Sequence, residues 1–427
     1  MLTKLRIQNF KCFQDTGQLD IRPLTFLVGP NSSGKSSILQ MLLMLRQTAQ
    51  STDYQSPLVT SGPFIELGAF PDFVFRHQLD RQLDVDTQWS PVVTPQGVTF
   101  GPTGIRTAFR YDRPTTQIRL AESAFTSGDS YGQSVREAPD GTHRGEMWAV
   151  KDGERRVAGP RTITPVLWFV GLSDLADWFP GDAITVPTGW LWHMMRMVHL
   201  DPVRRHPKRS YVMPGTVPSD VGSGGERTFE VLWAASQAGN GESTKLLDDV
   251  QRWLRNLAIA EGIGLRRLGE SSLYEVAVTD PATAAEVNFA DIGFGASQVL
   301  PIIVQSFCAK PGSTLLVEQP EIHLHPKAQA KLGDLFIEAA QGNDRAFIIE
   351  THSEHILSRV CRRIAEKHRG MTKDKVAIYY FSPTSEGTKI EAVTLNENGQ
   401  YVQYPKGFFE EGFDDALHHA EAMSRNV

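Results

Sequence analysis

The stretch LTFLVGPNSSGKSSILQMLLMLRQ, residues 24–47, decides how the rest of the chain is read. It begins as a continuous apolar run, as a buried strand does, and it stops at Gly29. Gly29, Gly34, Lys35 and Ser36 then fill every fixed position of the phosphate-loop pattern G-x-x-x-x-G-K-[ST]. The glycines let the backbone bend around an anion, and in the loop that follows Pro30 the amides of Asn31, Ser32 and Ser33 turn inward as a nest. From Lys35 the pattern becomes helical, with Ile38, Leu42 and Leu45 on one face and Leu39, Leu43 and Arg46 turning away. The positive end of that helix, carrying Ser37 in its first turn, adds to the anion site. Lys35 supplies a point charge to the β- and γ-phosphates and the Ser36 hydroxyl a ligand to Mg2+, so the expected cofactors are ATP and magnesium. A chance match in a turn would lack the strand before it and the helix after it.

Outward from this loop, MLTKLRIQNF alternates apolar and polar residues as a half-buried strand and lacks the apolar core of a signal peptide. The 427 residues are 41% hydrophobic and 22% charged with a formal net charge of -6, so any nucleic-acid surface has to be a local patch. Cys12, Cys308 and Cys361 show neither metal-ligand spacing nor a disulfide pattern, which fits a reducing compartment. No apolar run approaches the ~20 residues of a membrane helix. The expectation is a cytoplasmic protein without a membrane partner.

From about 50 to 200 short alternating stretches such as VDTQW, GVTFG, TAFRY and QIRLA read as antiparallel strands. TSGDSYGQ (126–133) and REAPDGTHRGE (136–146) read as polar loops, and 163–199, rich in Trp and Met, as helical. Pro214 to Glu226 looks like a connector; 243–257 is a periodic helix and 272–280 a strand. After 290 apolar strands (313–318, 345–351, 375–381) alternate with helices (296–308, 326–341, 354–367), the signature of a parallel sheet with helices packed on it.

Three further motifs carry chemistry. STLLVEQPEIHLHP ends an apolar strand in Glu318, the place of a magnesium-anchoring acid. Gln319 stands where a second, water-polarising acid is usual, and an amide cannot accept a proton as a carboxylate does. Either Glu321 or the helix-entry histidines assist, or hydrolysis is slow. His323 and His325 read as loop residues near a dimer seam rather than a metal pair. RAFIIETHS ends at His352, which either senses a γ-phosphate or, with Thr351 and Ser353, caps the next helix. DIGFGASQVLPI places Gly293, Gly295, Ser297 and Gln298 at a helix start, a second anion site. Within one nucleotide pocket that site is redundant; it makes sense if it covers the nucleotide of a second copy.

This ordered set resembles ABC-type ATPases of the RecF, SMC and OLD (overcoming lysogenization defect) branch. IQNFKCF looks like that branch's N-F-[KR]-x-F opening, which implies a place for Lys11 beside the nucleotide. VEQPEIHLHP is similar to E-E-P-E-x-H-L-H-P with Gln319 replacing the second acid, and GFGASQVLP stands where the ABC signature stands. The tail YVQYPKGFFEEGFDDAL looks like the G-x-[YW]-P-x-G-F-F-[DE] ending of a bacterial AAA-type subgroup of unassigned function. The resemblance implies a role in phage defence or DNA repair, beside a nuclease subunit. Too little chain follows strand 375–381 for a TOPRIM nuclease domain, which implies a nuclease or effector on a separate chain. The long stretch between Lys35 and Glu318 argues against a transporter cassette, and it lacks the heptads that fill the gap in SMC-like proteins.

The expected architecture is an α/β ABC-ATPase head, a parallel P-loop sheet with an antiparallel β subdomain, carrying a large β-rich and helical insertion. The boundaries are 1–80 and 286–385 for the head, 81–285 for the insertion and 386–427 for the tail. Glu318, Gln319, Glu321 and His352 are the catalytic candidates, and Ser36 and Glu318 the metal ligands. The partners are a second copy and an effector or nuclease. Basic clusters at 201–211 (Arg204, Arg205, Lys208, Arg209) and 359–369 (Arg359, Arg362, Arg363, Lys367, Arg369) offer nucleic acid or an acidic partner a surface, or are simply solvated. A nucleotide-gated scaffold that restrains a toxic effector is the competing function.

Overall fold

The structure is a computed structural model, and it describes the chain except residues 54–55, 94–98, 101–102, 130, 152–153, 164–187, 343–344 and 409–427. A six-stranded sheet forms the base of the molecule. Its order is β13 (Met197–Leu200), β18 (Thr314–Glu318), β19 (Ala346–Glu350), β4 (Leu24–Val28), β20 (Val376–Thr384) and β21 (Gly387–Ala392). All neighbours are parallel except β21, which turns back against β20. Each parallel strand is an apolar run because both of its faces are covered. Side chains alternate across it: Phe26, Leu315, Val317, Phe347 and Ile349 enter one core, while Leu27, Leu316 and Ile348 enter the other.

The first of these cores is roofed by helices α4 (Thr228–Ala238), α5 (Gly241–Asn256), α6 (Phe294–Cys308), α7 (Pro326–Gly342) and α8 (Glu354–Ala365). On the opposite face lie α1 (Lys35–Ala49) and then a nine-stranded antiparallel sheet. That sheet joins β1 (Leu2–Phe10), β2 (Phe13–Asp15) and β3 (Leu19–Asp20) to β5 (Leu83–Trp89). It continues through β8 (Thr103–Asp112), β9 (Gln117–Ser127), β10 (Tyr131–Glu137), β11 (His143–Lys151) and β12 (Glu154–Ile163). Helix α1 is therefore sandwiched. Leu39, Leu43 and Arg46, expected to turn away from the core, are buried like Ile38, Leu42 and Leu45, because a helix between two sheets has no solvent face.

Smaller sheets complete the chain. β14 (Tyr211–Val212), β15 (Gly262–Arg267), β16 (Leu273–Thr279) and β17 (Glu286–Asn288) form one, and β22 (Thr394–Leu395) with β23 (Tyr401–Gln403) another. β6 (Val92–Val93) and β7 (Thr99–Phe100) pair with each other, and α2 (Phe70–Phe73) and α3 (Thr188–Met195) are short connectors. Among the described residues, no helix is long and apolar enough to cross a membrane.

The α/β class with an antiparallel β subdomain stands as expected; the boundaries drawn within it need correction. Residues 81–285 are not a self-contained insertion. β5 pairs directly with β1, so the head's own antiparallel sheet runs through residue 80 and on to 163. β13 is an edge strand of the parallel sheet, although 163–199 read as helical; residues 164–187 of that reading lie outside the described residues. The segments 126–133 and 136–146, read as polar loops, are largely strand: β9 runs to Ser127, β10 spans Tyr131–Glu137 and β11 begins at His143, with Tyr131 and Gln133 buried in the sheet. Of the tail, 386–408 is described, and it folds back so that Phe408 packs on Tyr380 and Tyr401.

One buried histidine ties these layers together. His193 on α3 is 2% exposed, stacks on Trp89 of β5 at 5.1 Å and meets the Ser90 carbonyl at 3.0 Å. Burial, and then the neighbouring terminal ammonium, lower its pKa to about 3. The unfolded imidazole, titrating near 6.5, binds a proton that the folded one refuses, so stability present at neutral pH is lost as pH falls from there toward 3, at about 1.4 kcal/mol per unit. In urea unfolding between pH 6.5 and 5, the wild type should lose about 2 kcal/mol more than His193→Gln. Equal losses would show that His193 protonates freely in the fold.

Candidate nucleotide site

The phosphate loop leaves β4 at the carboxyl edge of the parallel sheet and enters α1, and its shape depends on glycine at two points. Gly29 has φ +141°, and a Cβ there would sit 2.5 Å from the Phe381 carbonyl on β20. Gly34 has φ +96° and abuts Cys12 and Phe13, leaving no room for a side chain. Ser33 is fully buried, and its carbonyl accepts the Thr388 hydroxyl at 2.9 Å. The Lys35 ammonium donates to the carbonyls of Gly29 (3.1 Å) and Pro30 (2.7 Å). Its pKa is lowered, chiefly by burial, with Glu350 and Glu321 opposing.

A cleft of about 360 Å³ opens beside this loop, lined by Lys11, Cys12, Asn31, Ser32, Ser33, Gly34, Lys35, Ser36, Ser37, Gln40, Gln319 and Glu350. Of the residues expected from sequence, Lys11, the loop from Asn31 to Ser37 and Gln319 come together here. The Lys11 ammonium is held by the Gln40 side chain of α1, and burial lowers its pKa. Glu318, Glu321, His352, Gly295, Ser297 and Gln298 stand back from this cleft.

The strand ends explain the arrangement. In the parallel register Glu318 of β18 lies opposite Glu350 of β19, so two acids emerge side by side. Ser36 donates its hydroxyl to Glu350 Oε2 at 2.8 Å. Glu318 instead accepts a hydrogen bond from His199 Nε2 of β13 at 2.7 Å, and Asp201 lies 3.4 Å from the other ring nitrogen. The donor atoms of His199, Asp201 and Glu318 lie within 4.8 Å of one another, a grouping able to take a divalent ion. Just beyond, Gln319 adopts a left-handed backbone (φ 42°), and its amide donates to the Glu350 carbonyl at 2.8 Å. Burial raises the pKa of Glu350, with the Ser36 hydroxyl opposing.

Glu321 is committed to bracing. Its carboxylate accepts the His352 amide at 2.6 Å and the Thr351 hydroxyl at 2.8 Å, which fixes the turn after β19 to the turn after β18. Burial pushes its pKa up against these bonds. The His352 side chain is exposed; desolvation by the protein behind it and then the Lys35 charge lower its pKa, so the imidazole is neutral at neutral pH. Ser353 caps α8 by accepting the Ile356 amide at 3.3 Å, so capping falls to Ser353 and not to His352.

Helix α6 begins against the same turn. Gly295 is tight against the His323 carbonyl, where a Cβ would come to 2.8 Å, and Ser297 donates to the Phe294 carbonyl at 2.7 Å. Gln298, expected among the nucleotide-contacting residues, is turned inward: it is 1% exposed and clasps the Arg204 backbone through both ends of its amide. From Ala296 to Ser306 every residue of α6 is buried, so Gln298 has no solvent face to present to a ligand. Ring contacts link His206 to Phe294 at 4.7 Å and Phe294 to His323 at 4.6 Å.

The basic clusters also resolve. Arg204 is not a surface residue: it is 1% exposed and donates to the carbonyls of Glu318 (2.8 Å) and Gln319 (3.4 Å). Arg209 pairs with Asp291 on the surface. In the second cluster Arg359 and Arg363 share Asp334, Arg362 pairs with Glu366, and Arg369 pairs with Glu338, which also holds Arg252. Sequence reasoning missed Glu350, His199, Gln40 and the role of Arg204. A signal existed for Glu350, since AFIIE, like TLLVE, is an apolar strand ending in an acid. None existed for His199, whose strand has only four residues.

A parallel sheet with this loop at its carboxyl edge defines a P-loop nucleotide-binding fold. Family models match the chain in three separate segments: residues 1–86 match an AAA ATPase domain. Residues 244–358 match a model described as AAA domain, putative AbiEii toxin, Type IV TA system. Residues 371–417 match a protein family of unknown function (DUF3696). No curated protein matches the chain. Among solved structures it is similar to the SMC head domain from Thermotoga maritima, at TM-score 0.42 and 12% identity over 92% of this chain and 99% of that one. It is also similar to an Smc head bound to the C-terminal winged-helix domain of ScpA, at TM-score 0.44 and 14% identity over 93% and 98%. A third, the Pyrococcus furiosus Smc head with an extended coiled coil, has TM-score 0.39 and 12% identity over 99% of both chains.

Because Arg204 is buried and donates to the Glu318 carbonyl at the acid-bearing strand end, its removal takes away a charged donor and the packing of a buried side chain. Arg204→Met should destabilise the protein by roughly 3 kcal/mol or more in urea unfolding, with Arg204→Lys intermediate. A loss below about 0.5 kcal/mol, the range of surface substitutions, would show that the clamp contributes nothing.

Proposed function

We propose that this protein is a magnesium-dependent, slowly hydrolysing ATPase whose two copies close over two nucleotides. In this reading it is the nucleotide switch of a cytoplasmic phage-defence or DNA-repair type complex, with the nuclease or effector on a separate chain. The observation that carries the nucleotide reading is the cleft itself, where the loop, Lys11, Lys35 and Ser36 face Glu350 at the end of β19 and Gln319 just past β18. Phosphate oxygens would draw Lys35 from the Gly29 and Pro30 carbonyls. The donor set fits Mg2+, a hard cation that prefers oxygen: the Ser36 hydroxyl lies against a carboxylate, and Glu318 stands in the adjacent register position. Mg2+, when bound, would neutralise charge on the β- and γ-phosphates. His352, close enough to Lys35 to be influenced by its charge, would hydrogen-bond the terminal phosphate.

Slow turnover follows from Gln319, which lines the cleft but cannot take a proton from water, and from Glu321, whose carboxylate is spent on the Thr351–His352 turn. Gly295 and Ser297 stand back from their own cleft, which favours contact with the nucleotide of a second copy. The words "putative AbiEii toxin" attached to the 244–358 match favour a defence role. The same match, with the weakened catalytic set, also supports the second reading, a nucleotide-gated scaffold that restrains a toxic effector. Four of the basic side chains of 359–369 are tied to carboxylates of the protein itself, which favours a protein partner over nucleic acid there.

Light scattering after size exclusion should show a dimer with ATP and Mg2+ and a monomer with EDTA. Lys35→Ala should stay monomeric for want of nucleotide, and Ser297→Arg should bind a fluorescent ATP analogue yet stay monomeric. A Ser297→Arg protein that dimerises normally would sink the shared-site model. For catalysis, Gln319→Glu should raise kcat about 100-fold, the lower end of what a positioned general base contributes. An unchanged rate, or fast wild-type hydrolysis, would remove Gln319 as the cause of slow turnover.

A further inference from the structure

The two strand-end acids beside the phosphate loop are not equivalent, and their difference assigns the metal. Glu318 is the acid that the motif order points to, yet its carboxylate is turned toward β13 and held by His199, and it does not line the cleft. Glu350 does line it, is 4% exposed, and receives the Ser36 hydroxyl. We propose that Glu350 is a direct protein ligand of the nucleotide's magnesium ion, paired with Ser36, while Glu318 acts at the ion from behind it. This rests on the nucleotide-binding reading above and deepens it.

Three observations converge. First, Ser36 Oγ and Glu350 Oε2 are 2.8 Å apart. Neighbouring ligands on an octahedral Mg2+ with bonds of 2.0–2.1 Å are about 2.9 Å apart, so one ion can take both oxygens with almost no movement of either. Second, Glu350 is a buried carboxylate whose side-chain donor among the described residues is a neutral hydroxyl. A charge so placed is costly unless a cation neutralises it, and Lys35, its nearest influence of opposite sign, is bonded to the loop carbonyls. Third, the position is rigid. Glu350 ends the strand that lies between β18 and β4, and its own carbonyl holds the Gln319 amide, so the ligand cannot drift from the loop. One consequence concerns signalling: the metal-bearing residue stands two positions before His352 on the same turn, so nucleotide and metal state reach that turn through one backbone.

The test compares binding of a fluorescent ADP analogue in excess EDTA and in Mg2+, with no turnover required. Wild type should gain at least tenfold in affinity from Mg2+. Glu350→Gln should keep the EDTA affinity but lose nearly all of the gain, Glu350→Asp should recover part of it, and Glu318→Gln should keep most of it. The same order should appear with Mn2+, read as the loss of the free-ion signal in electron paramagnetic resonance when ADP and protein are added. A Glu350→Gln protein with the full magnesium gain overturns the assignment, as does a Glu318→Gln protein that loses the gain while Glu350→Gln does not. If wild type binds the analogue under neither condition, the nucleotide-binding reading itself fails, and this assignment with it. Unchanged affinity in EDTA serves as the control that each variant is folded.

Discussion

The parallel register of three short strands is the constraint on which the site depends. β19 lies between β18 and β4, with Glu350 opposite both Glu318 and Leu27. Backbone hydrogen bonds allow no slippage here, because a shift of one residue would exchange the two apolar faces that the helices and α1 cover. The strands therefore end together, and the loop from β4 and the acids of β18 and β19 reach the same edge. Ligands in open α/β sheets bind at this carboxyl edge for the same reason.

Around that edge the chain spends an unusual number of buried polar groups on its own backbone. Arg204 holds two carbonyls after β18, Gln298 holds Arg204, Glu321 joins the turns after β18 and β19, and Gln319 is pinned in a left-handed conformation. A non-glycine residue held at positive φ costs on the order of 1–3 kcal/mol and persists where its surroundings over-determine it. These braces link the start of α6 to the acid-bearing turns through a continuous set of hydrogen bonds.

Much of this was legible locally. The loop from Gly29 to Ser36 carries its conformation in its composition, since glycines at positions 29 and 34 are needed where a Cβ would strike Phe381, Cys12 or Phe13. Alternating apolar strands and helices after residue 290 announced the parallel sheet, with ends misplaced by at most three residues. Long-range pairing left no such trace. β13 has four residues and earns its place by hydrogen bonding to β18, far away in sequence; the pairing of β5 with β1 likewise erased a boundary at residue 80.

By itself the sequence determined the phosphate loop, the strand-end acid Glu318 with Gln319 beside it, and the layered α/β class, because each rests on residue type and short spacing. Only the tertiary structure decided which acid faces the loop. Glu318 and Glu350 end similar apolar strands, and the motif after the first drew attention to Glu318 alone. Packing beside His199 draws the Glu318 carboxylate toward β13, whereas the neighbour of Glu350 is Ser36. The fold likewise made Arg204 an internal clamp and Glu321 a brace, since burial and partners are properties of the assembled layers.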